Sequence, residues 1–374
     1  MKIAINCIYY TPKGGGITEY IYNLVKEIIN INKENQIIFY ISKDVEFFKD
    51  TKFDDLFKIK TFPFHESQKI KRSLFQQIYW NKEERIENFD IFHSPFFYAP
   101  KFEKAKLILT VHDLRFLNYP SSYKKLRLFY LKRVVEKSIK RANHLIAISN
   151  FTKNEIIKHY NISENKIKVI LEAIDRLGFL LTNKSKTLSI SGKKISSESF
   201  LLSVGHLEPR KNYKRLISAF SLLPIDIQKQ YKLIIVGKKN HDYTDIIKEI
   251  DNNENVYYLD FIKREDLIWL YANCKLHIFP SFYEGFGFPS LEAGIFGKPT
   301  IGANQSSIEE VSGKGGIYFD PFDILDIKSK VNQVLSSEKV YSKLSKEAFK
   351  NTKLYSWSKN ASETLELYKK VNNN

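Results

Sequence analysis

The sequence predicts an α/β protein built as two successive parallel-sheet domains with helices on both faces. Three observations carry this. Short apolar runs that end in turns alternate with segments of helical spacing along nearly the whole chain. That alternation stops once, in a polar stretch near residue 190, and then restarts in the same rhythm. Repeated strand–helix units of this size form parallel sheets covered on both faces, because each strand must cross over a helix to reach its neighbour.

Residues 2–9 open the first block as a buried strand, and three glycines at 14–16 lead from it into a helix with Ile17, Ile21, Leu24, Val25 and Ile28 on one face. Further strands are predicted at 36–42, 89–94, 106–112, 144–149 and 166–170. A helix is predicted over 123–141, and another begins at the Ser149/Asn150 cap. Ser, Lys, Thr and Gly dominate from 182 to 199, as in a linker. The second block has strands at 200–204, 232–237, 255–259, 276–279, 298–302 and 316–319, with helices between them and closing helices after Asp323. The expected boundaries are 1–183 for the first domain, 184–199 for the linker and 200–352 for the second domain. Residues 353–374 are expected to form a helix returning to the first domain. Two such blocks make two Rossmann-like domains facing a central cleft.

Composition narrows the class. At 374 residues, with 43% hydrophobic residues including 28 Phe and 22 Tyr, the chain has core material for two globular domains. No apolar run approaches the ~18 residues of a membrane-spanning helix, and the first ten residues read as a strand rather than a secretory signal. Two scattered cysteines, Cys7 and Cys274, suggest reduced thiols and a cytoplasmic protein. The net charge of +17 favours anionic partners. Nucleic acid is one such partner, but no helix-turn-helix, zinc or RNA-binding signature accompanies the charge. The 123–141 helix sets Lys124, Lys125, Arg127, Lys132, Arg133, Lys137, Lys140 and Arg141 against Glu136 among aromatic residues. That pattern fits a solvated face or a surface meeting anionic lipid on the inner membrane.

Three features converge on one chemical demand. The loop at Gly15 and Gly16 is a candidate phosphate cradle, although it is neither a P-loop nor G-x-G-x-x-G. Arg210 and Lys211 follow a strand and precede a helix. The stretch from Phe279 to Thr300 holds a strand end, a turn with Gly285 and Gly287, a helix beginning near Ser290, and the carboxylates Glu284 and Glu292. Cations and helix-start N–H groups suit a diphosphate, and carboxylates suit sugar or ribose hydroxyls. A nucleotide sugar carries both. His112 and Asp113 lie just past a buried strand, at the sheet edge where ligands bind.

The motifs V-G-H-L-E-P-R-K-N-Y-K-R-L-I-S-A-F, P-S-F-Y-E-G-F-G-F-P-S-L-E-A, P-T-I-G-A-N and S-S-I-E-E-V-S-G, with G-G-I-T-E-Y and V-H-D-L upstream, resemble family 4 retaining glycosyltransferases of the GT-B fold. The resemblance implies that Lys211, with Arg210, holds the donor diphosphate. It implies Glu284 on the donor-sugar hydroxyls, and the turn from Gly285 through Phe286, Gly287 and Phe288 to Ser290 and Leu291 on sugar and phosphate. It places Glu292 on the ribose, Phe261 and Ile262 against the base, Gly15 and Gly16 near the phosphate, and His112 at the sugar. His206 stands where many members carry Arg or Thr, which shifts phosphate contact towards Arg210 and Lys211.

The variant looks most like bacterial mannosyltransferases of surface-polysaccharide and O-antigen assembly. That implies GDP-mannose as donor and a lipid-linked glycan as acceptor. No D-x-D triplet occurs, so neither a metal nor any other cofactor is expected. The alternatives are a UDP-sugar transferase or epimerase of the same fold, and more remotely a basic nucleic-acid-binding protein.

Overall fold

The computed structural model describes residues 1–11, 14–43, 45, 55–65, 69–182, 188–190 and 193–373. Pro12 and Lys13 ahead of the glycines, and parts of the expected linker, lie outside these. The chain divides into two compact units.

The first unit comprises residues 1–172 and the helix Trp357–Asn373. Its sheet contains β1 (Lys2–Asn6), β2 (Gln36–Ser42), β3 (Phe57–Phe62), β4 (Ile91–Ser94), β5 (Lys106–Val111), β6 (His144–Ala147) and β7 (Ile167–Val169). The order is β3-β2-β1-β4-β5-β6-β7, with every pairing parallel. The strands are apolar almost throughout because both faces are covered. One face packs Ala4, Ile38, Phe92, Leu107 and Leu145 against Trp80, which edges onto Tyr40 and Phe92. Strand β3 escapes the sequence reading because F-K-I-K-T-F looks polar. Its lysines are held by the opposing helix instead, with Lys60 Nζ 2.7 Å from both Glu83 and Glu87.

The second unit, residues 173–355, contains a separate hairpin of β8 (Leu188–Ile190) and β9 (Lys193–Ile195) and a sheet of β10 (Phe200–Val204), β11 (Lys232–Val236), β12 (Val256–Leu259), β13 (Leu276–Phe279), β14 (Thr300–Ala303) and β15 (Gly316–Phe319). The six long-range partners run β12-β11-β10-β13-β14-β15, all parallel. Leu201, Leu233, Ile235, Leu276, Ile278 and Ile301 centre its core.

The boundary at 183 moves. The helix Arg176–Thr182 belongs to the second unit, where Phe179 is buried beneath the Arg264 guanidinium and Arg176 lies 5.5 Å from the Phe349 ring centroid. The polar stretch after 182 marks a change of composition, but packing assigns the ten residues before it to the other side. The helix expected over 123–141 spans Lys125–Arg141. Among the described residues no helix is long and apolar enough to cross a membrane.

Candidate active site

In each sheet the strand order reverses once, between β1 and β4 and between β10 and β13. Loops leaving the carboxyl ends of strands on either side of such a reversal diverge and open a crevice, where ligands bind in open α/β sheets. In the second unit those two loops are 205–212 and 280–287. They are joined by Phe282 N–H donating to the Arg210 carbonyl at 3.0 Å.

Arg210 and Lys211 sit in the single turn Pro209–Lys211, each 7% exposed. Asn212 follows in the left-handed conformation, φ 57°, which asparagine tolerates better than most residues. Its side chain donates to the Pro321 carbonyl at 2.8 Å, so the break between the turn and the helix Tyr213–Ser221 is pinned. Glu284 closes the arrangement. Its carboxylate lies 2.6 Å from Lys211 Nζ and 3.0 Å from Arg210 Nη1. Burial works against its charge, but Arg210 and Lys211 outweigh burial and pull its pKa down to about 2. Lys211 Nζ also lies 5.4 Å from the centroid of the Phe279 ring.

Glu208, whose signal in the sequence is faint, completes the cluster. At 1% exposure it accepts from Arg210 Nε at 2.9 Å, from Arg210 Nη2 at 2.5 Å and from Asn240 Nδ2 at 2.7 Å. Arg210 also donates to the Tyr283 carbonyl. The guanidinium is thus fixed on three sides while Lys211 is held chiefly by Glu284.

The glycine turn leads into the helix Phe288–Ile295. Gly287 has φ +116°, a conformation that L side chains rarely adopt, and this fixes the approach to the helix. The Ser307 hydroxyl braces the turn, 2.9 Å from the Glu284 carbonyl and 2.5 Å from that of Phe286. Ser290 is 5% exposed, and its hydroxyl has no hydrogen-bond partner among the described residues. Leu291 is buried and Phe288 half-buried. Glu292 is half-buried facing Tyr271, whose phenol is pushed up by burial and by that carboxylate. Phe261 is 74% exposed with Lys238 Nζ 4.5 Å from its ring centroid, and Ile262 beside it is half-buried. His206, beside Lys211, is held below the ordinary histidine value by partial burial and that cation.

In the first unit the loops after β1 and β4 meet through Tyr9, which stacks on Phe96 at 4.7 Å and bonds the Tyr98 hydroxyl at 2.8 Å. Gly15 caps the helix Gly16–Ile31. Gly15 and Gly16 are both exposed. Gly15 has a negative φ, and a Cβ there would meet nothing within 4 Å, so the chain itself does not demand glycine at that position.

His112 follows β5 and is 8% exposed. Its Nδ1 lies 2.8 Å from Glu172 Oε1 and its Nε2 lies 3.2 Å from the Pro95 carbonyl. Burial disfavours the charged ring, but the Glu172 hydrogen bond and charge, the Pro95 carbonyl and Asp113 overcome it and raise the pKa. Tyr20 meets the ring edge-on at 4.9 Å. Behind it runs a buried polar chain: Tyr20 to Thr110 at 3.1 Å, Thr110 to His93 Nε2 at 2.9 Å, and His93 Nδ1 to the Tyr368 hydroxyl at 2.5 Å.

Two parallel sheets of seven and six strands, each with loops that diverge at a switch point, define a doubly wound α/β architecture. The comparisons give it a family. Residues 14–176 match the family model "Glycosyltransferase Family 4" and residues 185–351 match "Glycosyl transferases group 1". The O-antigen chain mannosyltransferase B of Escherichia coli is 29% identical over 284 residues, covering 75% of this chain and 74% of that protein. The serotype-specific mannosyltransferase WbdA of Escherichia coli is 31% identical over 274 residues, covering 70% of this chain but only 33% of that protein. The crystal structure of Anabaena HepE in complex with UDP superposes with a TM-score of 0.70 at 16% identity, covering 99% of this chain and all of that one, which establishes a shared GT-B fold. The chain belongs to the family 4 glycosyltransferases.

Proposed function

We propose that this glycosyltransferase moves mannose from GDP-mannose to a lipid-linked or polysaccharide acceptor, with retention of configuration and without a metal. The observation that carries the donor half is the buried Arg210–Lys211–Glu284 cluster at the β10/β13 switch point, beside a helix start whose Ser290 hydroxyl has no hydrogen-bond partner among the described residues. A diphosphate and a sugar hydroxyl suit that cluster: further anionic oxygens for the two cations and the helix N–H groups, and a hydroxyl donor for Glu284.

Breaking the bond between the anomeric carbon and phosphate leaves an oxocarbenium-like sugar and a diphosphate with added negative charge. Lys211 and Arg210 are already fixed where that charge grows, so they stabilise the transition state without rearranging. In this reading they do the work that a metal does elsewhere. Glu284 binds sugar hydroxyls rather than attacking carbon, and the departing phosphate takes the acceptor's proton as the acceptor enters on the same face. Glu292 takes the ribose hydroxyls, Phe261 and Ile262 lie against the base, and Gly15 and Gly16 admit phosphate. His112 contacts the transferred sugar.

The mannose assignment is supported by the names of the Escherichia coli relatives, which are O-antigen and serotype-specific mannosyltransferases. The acceptor assignment draws on those names and on the helix Lys125–Arg141. That helix exposes Leu126, Phe129 and Tyr130 among its basic residues, a combination suited to peripheral contact with an anionic inner membrane from the cytoplasm. Incubation with labelled GDP-mannose and a lipid-linked glycan in EDTA should transfer mannose at the rate seen without chelator. Strict dependence on Mn²⁺ or Mg²⁺ would overturn the metal-free scheme, and cleavage of donor with no acceptor present would favour an epimerase or hydrolase.

A further inference from the structure

The pairing of His112 with Glu172 has a use beyond holding the fold. Glu172 is 2% exposed and its carboxylate meets Nδ1 at 2.8 Å, while Nε2 faces the Pro95 carbonyl at 3.2 Å. A carboxylate at Nδ1 fixes which ring nitrogen is protonated and how the ring is turned, as it does for histidines in hydrolase triads and metal sites. Both ring nitrogens face acceptors, an arrangement that a ring protonated on both nitrogens satisfies. The longer and weaker of the two bonds is the one at Nε2, and a substrate oxygen replacing the Pro95 carbonyl there would find a donor.

We propose that Glu172 is the positioning residue for His112, holding the ring as an Nδ1-anchored cation whose Nε2–H donates to substrate and never serves as a base. This rests on the reading above that His112 contacts the transferred sugar. A donor at that point holds a sugar oxygen in the reacting orientation, and a ring protonated on both nitrogens cannot compete with the departing phosphate for the acceptor's proton.

The other groups facing His112 agree with a cation. Asp113 adds negative charge from its own strand end. Tyr20, from the helix Gly16–Ile31, presents a ring edge-on with its hydroxyl engaged by Thr110. His93 of β4 is buried and kept neutral, its pKa pushed down to about 3 by burial and by His112. Glu172 is therefore the carboxylate that bonds the ring directly, and no second bonded carboxylate replaces it among these groups.

The test uses the full chain and two variants. Histidine NMR should show His112 of the unaltered protein titrating above the ordinary histidine range, and titrating at lower pH in Glu172→Gln, which preserves shape but not charge. Glu172→Gln should then lose turnover of GDP-mannose as pH rises through that lowered value and recover towards the unaltered rate on the acid side. Glu172→Ala, with ring orientation also lost, should fall roughly ten- to a hundred-fold in kcat at every pH, with the KM for donor little changed. An unchanged His112 titration in Glu172→Gln would overturn the role of Glu172. So would equal losses in both variants that follow their melting temperatures and not pH. An unaltered protein that turns over no sugar nucleotide, yet shows the shifted titration, would instead overturn the donor reading beneath it.

Discussion

Lys211→Ala is expected to reduce sugar transfer by at least roughly 10²–10³-fold, the range for losing one preorganised donor aimed at developing charge, while leaving the melting temperature nearly unchanged. The asymmetry follows from the cluster. Lys211 is held chiefly by Glu284, and removing its ammonium leaves that carboxylate still paired with Arg210 at 3.0 Å. No buried charge is stranded, so the fold survives. At the donor diphosphate the ammonium has no substitute of equal reach, because Arg210 is already committed to Glu208, the Tyr283 carbonyl and Glu284. Steady-state kinetics with a parallel thermal melt checks both halves. Near-normal turnover would remove Lys211 from the chemistry.

Arg210→Ala should act in the opposite proportion, as a stability defect that also costs activity. Glu208 at 1% exposure would lose both of its guanidinium bonds, while the bond from Asn240 at 2.7 Å stays. Removing one partner of a buried pair typically costs about 3–5 kcal/mol because the other charge is left without compensation. For a unit of this size that lowers Tm by roughly 10 °C. Glu208→Gln in the Arg210→Ala background removes the stranded charge and should recover much of the loss, a coupling that a double-mutant cycle measures. If the single variant melts within a degree or two of the unaltered protein, the Arg210–Glu208 pair is not the anchor of this turn.

The parts of the candidate site were unequally visible in the sequence. Arg210, Lys211, Glu284 and the Gly285–Gly287 turn were legible because each follows an apolar run that must be a buried strand, so their place at a sheet edge is dictated by local pattern. The residues that hold them were not. Glu208 and Glu172 are lone glutamates whose importance lies in partners brought close by tertiary structure, His112 being 60 residues away from Glu172 in sequence. The signal for Glu208 was present but faint, a carboxylate two residues from an arginine in a turn. Strand β3 was missed because Lys58 and Lys60 read as solvent positions, although they answer the carboxylates of Glu83 and Glu87. The boundary between units was misplaced for a similar reason. Composition marks where the chain becomes polar, whereas the burial of Phe179 decides which unit keeps the helix before it.

The central claim, a nucleotide-sugar donor held by Arg210, Lys211 and Glu284 without a metal, is tested most directly by thermal shift in EDTA. A ligand that binds only the folded chain stabilises it by about 2.7 kcal/mol at a hundred times its Kd. GDP-mannose should raise the melting temperature of the unaltered protein more than UDP-glucose or dTDP-sugars do, and Lys211→Ala should abolish most of that rise. A larger shift with a UDP- or dTDP-sugar would contradict the GDP-mannose assignment, and no shift with any sugar nucleotide would contradict the donor site itself.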